Sequence, residues 1–115
     1  MELSQRSGGS LPSEAVLTVC PLPDRPGLRA AGEISLSTRP VWEGALERLA
    51  RCEDDVFCVE MSAVTFIDVA GASALAHTAH NLGKGRRIVV SRPPDTLRRL
   101  LELFWRDLAA MEVTL

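Results

Sequence analysis

The sequence predicts an α/β domain, with a central mixed β-sheet and helices packed against it. Three observations carry this expectation. Short β-prone runs alternate with segments whose apolar residues recur at helical spacing, in the order β-β-α-β-α-β-α with a candidate last strand. Proline and glycine signals separate these segments at Pro26-Gly27, Pro40, Gly83, Gly85 and Pro93-Pro94. The 115 residues, 46% of them hydrophobic, suffice for one core and are too few for two.

Residues 1–13 are polar and Ser/Gly-rich without periodicity, and are expected to form a disordered tail ahead of a single domain over residues 14–115. Ala15 to Val19 form a β-prone run that stops at Pro21 and Pro23. After the Pro26-Gly27 turn a second run extends from Leu28 to Ile34, so the two read as a hairpin. Ser37 or Thr38 can cap a helix with Pro40 in its first turn, in which Trp42, Ala45, Leu46 and Leu49 share a face. Val56 to Met61, interrupted only by Glu60, fits a central strand that leads into Val64 to Asp68. The alanine-rich stretch from Val69 to Leu82 follows as a helix. Its predicted buried stripe is Ala72, Leu75, Ala79 and Leu82, opposite Ala70, Ser73, Ala76, His77 and His80. Arg87 to Val90 supply the next strand, and Pro93-Pro94-Asp95 opens a helix with a Leu97, Leu100, Leu101 and Phe104 stripe. Val113 to Leu115 are the candidate last strand.

Charge and cysteine content narrow the function classes. A formal net charge of −2 gives no global attraction to nucleic acid or an anionic membrane. No apolar run approaches the ~20 residues that span a bilayer, so no membrane insertion is expected. Cys20, Cys52 and Cys58 are odd in number and lack C-x-x-C spacing, which argues against a disulfide framework or zinc site and points to a reducing, cytoplasmic setting.

Two stretches carry a family resemblance. Gly32-Glu33-Ile34-Ser35 closes the second strand, and Val59-Glu60-Met61-Ser62 precedes Thr65-Phe66-Ile67-Asp68-Val69-Ala70-Gly71. Together they resemble the STAS family, of the anti-sigma factor antagonist type, in matching element order from Glu14 onward. Pro94 to Leu103 is similar to that family's penultimate helix. The resemblance implies a STAS-like single domain and a non-enzymatic role, binding an anti-sigma factor or related switch kinase. It implies a partner surface at Gly32, Glu33, Asp68, Val69, Ala70, Gly71, Ser73, Ala76 and His77. The serine that the family's kinase phosphorylates, directly after the aspartate, is Val69 here, and the next position is Ala70. Without a hydroxyl, that position cannot take the phosphate. Ser35 also replaces the family's aspartate, and Trp105 stands where a small residue is frequent.

Independently of any family, Asp68 before an alanine-rich helix reads as a cap, and Gly71 as a place where the helix start approaches the sheet or a partner. Ser73 is a candidate displaced phosphorylation site, although an exposed serine is common on helices. His77 and His80 could offer two imidazoles, but no further ligand stands at suitable spacing, so no metal and no cofactor is expected. Lys84, Arg86, Arg87, Arg92, Arg98 and Arg99 need not form one patch. Gly83-x-Gly85 lacks the rest of a phosphate-binding loop, and no Ser/His/Asp, Cys/His or paired-carboxylate set is suggested, so no enzyme is expected. The alternatives are a STAS-type subunit or scaffold of a transport or signalling complex, or a small-ligand sensor with a pocket beneath the alanine-rich helix. A homodimer is left open.

Overall fold

The structure, a computed structural model, describes residues 15–115. The expected tail over residues 1–13 lies outside the described residues. Strands β1 (Leu17–Pro21), β2 (Gly27–Ile34), β3 (Val56–Ile67), β4 (Arg87–Ser91) and β5 (Met111–Thr114) form one sheet in the order β1-β2-β3-β4-β5. The β1–β2 hairpin is antiparallel and every later pairing is parallel. Helices α1 (Arg39–Arg51), α2 (Val69–His80) and α3 (Asp95–Phe104) make the three crossovers. Because each right-handed crossover advances the sheet in the same direction, all three helices lie on one face.

The strands show which face that is. Phe57, Val59 and Met61 alternate along β3 and Ile88 and Val90 along β4, all completely buried together with Trp42, Leu46, Leu75 and Leu97 from the helices. The stripe expected for α1 is buried in full. Its cap differs from expectation. Thr38 holds the N-cap position, yet its hydroxyl donates to the Glu33 carbonyl at 2.7 Å and accepts from Ser35 N–H at 2.9 Å. It therefore ties the end of β2 to the 3₁₀ turn at Leu36–Thr38.

Two stripes need correction. In α2 the helix stops at His80, because Asn81 N–H turns back to His77 and Thr78 carbonyls, and Leu82 packs half-buried beyond it. In α3, Leu97 and Leu101 are buried but Phe104 is 63% exposed. The helix ends there, and Trp105 at the C-cap turns to the core instead, its ring edge-on to Phe104 at 5.6 Å.

Glu60, which interrupts the apolar run of β3, points to the opposite face and is only 5% exposed. Its Oε1 accepts from Ser62 N–H at 2.7 Å, and its Oε2 from Ser91 Oγ at 3.2 Å and Arg92 Nη2 at 3.0 Å. Burial alone would push this carboxyl up; the Ser62 and Arg92 hydrogen bonds outweigh it and hold the group at about 2. Arg92 adopts a left-handed φ of 51° to reach it. The basic residues do not pool. Arg86 turns inward over the Phe57 ring at 5.0 Å and donates to the Cys52 carbonyl at 2.6 Å, while Arg87 meets Glu112 and Arg98 meets Asp95.

Candidate functional site

The C-terminal end of β3 delivers the chain to the N-terminal end of α2 beside the C-terminal end of β2, and the sequence ties this junction together. Asp68 N–H donates to the Ile34 carbonyl at 3.1 Å, which stitches the two strand ends together. The Asp68 carboxylate then caps α2, its Oδ1 accepting from Gly71 N–H at 2.7 Å, as the sequence predicts. Arg39 from the first turn of α1 stands 3.9 Å from Oδ2. The buried Trp42 donates its indole N–H to the Gly71 carbonyl at 3.0 Å, so α1 grips the same turn.

Gly71 serves this packing. A Cβ there would lie 2.6 Å from Ile34 Cγ2 and 3.1 Å from Ile67 Cγ1, so the helix start can meet the sheet only without a side chain. Gly71 is buried. Gly32 is also architectural: at a φ of 117°, its Cβ would fall 2.0 Å from the Val16 carbonyl oxygen. Glu33 follows at a register shift opposite Phe66, half-buried, with its carbonyl taken by Thr38.

The remaining expected residues divide cleanly. Val69, Ser73 and His77 are exposed at i, i+4 and i+8, and so form one stripe along α2 with Ala70 half-exposed beside it. Ala76 does not join them. It is 1% exposed, because α1 and α3 flank α2 and cover a side of the helix that a wheel leaves free. His77 Nε2 lies 2.9 Å from Asn81 Nδ2, an ordinary helix-surface pair. Among the described residues no group of three or more His, Cys, Asp or Glu could hold a metal ion.

Sequence reasoning missed the apolar surroundings. Leu36 (73%), Phe66 (48%) and Val69 (56%) are exposed at this end of the sheet, as are Val41 and Val16, whose carbonyl accepts from Glu33 N–H. A signal was present: Phe66 falls outside the burial alternation of its strand, and Leu36 follows a strand end with no helical stripe to join. Beneath α2, where the alternative of a small-ligand sensor would need its pocket, Ala72, Leu75 and Ala79 are completely buried, and the small alanines let the helix lie close to the sheet. A groove of about 420 Å³ lies instead at the far end of α2, lined by Ala79, Leu82, Lys84 and Leu108.

The geometry defines a class of small α/β domain in which a long parallel strand presents a capped helix start at the surface. Residues 21–107 match the family model described as "Mlab, STAS domain", and the chain belongs to the STAS domain family. The crystal structure of an anti-sigma factor antagonist from Mycobacterium paratuberculosis is similar, at 24% identity and a TM-score of 0.70. That likeness covers 88% of this chain and 86% of the other, and it shows the shared fold. No curated protein matches the sequence. No helix among the described residues is long and apolar enough to cross a membrane.

Proposed function

We propose that this chain is a non-enzymatic, cytoplasmic docking module that binds an anti-sigma factor or related switch kinase through the exposed edge of α2. The observation that carries this reading is the exposed Val69–Ser73–His77 stripe on a capped helix start, with Leu36 and Phe66 exposed at the ends of the two strands tied to that start. Small and apolar side chains there let a partner's backbone approach closely, and the fixed junction beneath keeps the ordering cost of binding low. Occupation of the anti-sigma factor would release its sigma factor. The similar fold of an anti-sigma factor antagonist supports this choice of partner.

Val69 offers no oxygen to a kinase, so control comes from abundance, from a second protein or from another hydroxyl. Ser73, one turn on and about 6 Å along the helix, is the nearest exposed one on that stripe.

The test is a calorimetric titration of a switch kinase from the host with the parent chain and with Val69→Glu. The helix N-terminus accepts a negative charge, so the melting transition should stay where it is. Affinity should drop at least tenfold, about 1.4 kcal/mol. Undiminished binding by Val69→Glu, combined with loss of binding from a substitution on the far side of the domain, would remove this surface from the mechanism.

The missing hydroxyl favours a second reading: a constitutive STAS subunit of a transport or signalling assembly, docked by the same surface without phosphate control. Intact-mass measurement after incubation with the kinase separates the two. A phosphate that disappears in Ser73→Ala selects the first, and stable binding to a partner without kinase activity selects the second.

A further inference from the structure

The sheet has two edges, and only one of them carries proline. β1 ends in Pro21, which has no N–H to offer, and the chain leaves it through Pro23. Met111 to Leu115 at the other edge contain neither proline nor lysine. The outer side of β5 pairs with nothing among the described residues.

Hydrogen bonding shows which groups this edge presents. Ile88 N–H donates to the Ala110 carbonyl at 2.8 Å and Arg92 N–H to the Thr114 carbonyl at 2.7 Å. Even-numbered residues therefore turn their main-chain groups toward β4, and Met111, Val113 and Leu115 turn theirs outward. Met111 N–H is occupied by the Leu108 carbonyl at 3.2 Å, which leaves its own carbonyl to accept. In register with buried Ile88 and Val90, Met111 and Val113 place their side chains on the helix side. There a groove of about 310 Å³ runs along the edge, with Leu101, Trp105, Leu108, Met111, Val113 and Leu115 in its lining.

We propose that a second copy of this chain pairs antiparallel along β5, with the two-fold axis at Val113, and continues the sheet across both copies. In this register Val113 N–H donates to the carbonyl of the partner's Val113, and Leu115 N–H donates to the carbonyl of the partner's Met111, each reciprocally. Every free outward group from Met111 O to Leu115 N–H is used. On the helix side Met111 faces the partner's Leu115 across the groove, and on the other side Glu112 faces the partner's Thr114. An axis at Glu112 would instead set two carboxylates directly opposite each other, which is unfavourable. The groove rim carries Arg98, which is paired with Asp95, and Arg106 together with Glu102, so its charges balance and the surface does not repel its own copy.

Sedimentation equilibrium of the full chain tests the proposal, and the expected mass is that of a dimer. Val113→Pro removes an N–H that the β4 ladder does not use, so the far-UV spectrum should be unchanged while the mass falls to that of a monomer. The double variant Glu112→Cys, Thr114→Cys provides a second measurement that does not depend on that substitution. Residues opposite each other in a non-hydrogen-bonded pair lie about 4.5 Å apart at Cα, within disulfide reach. Mild oxidation should give a covalent dimer whose mapped peptides join position 112 of one copy to position 114 of the other. A parent chain that stays monomeric at its highest soluble concentration overturns the proposal and leaves the edge to a strand of another protein. A dimer that survives Val113→Pro, or a crosslink that fails to join these two positions, also overturns it.

Discussion

Glu60→Gln should remove most of the acid sensitivity that a single residue gives this fold. The carboxylate sits in the middle of the central strand, 5% exposed, and accepts hydrogen bonds from Ser62, Ser91 and Arg92. The bonds from Ser62 and Arg92 outweigh burial and hold it at about 2, against an ordinary value of 4.5. Because the folded value lies below the unfolded one, the stabilisation is complete above the unfolded value and is lost as pH falls toward 2. At ~1.4 kcal/mol for each tenfold change in proton affinity, the difference corresponds to about 3 kcal/mol. Glutamine cannot titrate. Urea unfolding of parent and variant across this range should show the parent more stable at neutral pH, with the gap narrowing by about 3 kcal/mol toward pH 2. Every other carboxylate titrates in both proteins, so the difference isolates Glu60. Parallel stability curves would refute the argument, since the Ser62 and Arg92 contacts would then contribute nothing specific to the ionised form.

Three further substitutions separate packing from surface. Leu75→Ala, at a completely buried position under α2, should cost about 2–5 kcal/mol in denaturant melts through lost burial and a cavity. His77→Ala on the exposed stripe should cost under about 0.5 kcal/mol, and equal losses from the two would mean that α2 is turned the wrong way. Gly71→Ala drives a Cβ to 2.6 Å from Ile34 Cγ2 and should cost about 1–3 kcal/mol by the same assay, with a melting point unchanged from the parent as the contrary result.

Much of the fold was legible because each boundary has a local chemical cause. Pro26-Gly27 turns the hairpin, Pro40 opens α1, Asp68 caps α2, and the β-branched run from Val56 forms the central strand. What the sequence concealed depends on neighbours distant in the chain. A helical wheel ranks the faces of α2 against a single surface, whereas α1 and α3 also cover the helix, so Ala76 is buried where the wheel leaves it free. Phe104 and Trp105 exchange roles because α3 ends between them, a boundary set by the turn to β5. Glu60 looks like a flaw in an apolar strand until Ser91 and Arg92, some thirty positions later, close over it.

The candidate site shows the same division between what fixes the fold and what is left free. Asp68 and Gly71 are held from three directions, by the Ile34 carbonyl, the Trp42 indole and the packing against Ile67, so a change at either position disturbs strands and helix together. Val69, between them in the chain, is exposed, and its side chain serves no hydrogen bond of the junction. A hydroxyl can therefore be absent from that position without cost to the architecture. The chain keeps the cap and the glycine that build the helix start and lacks the oxygen that a kinase would use. On the proposed reading, the difference from the usual family pattern falls on regulation and leaves the docking surface in place.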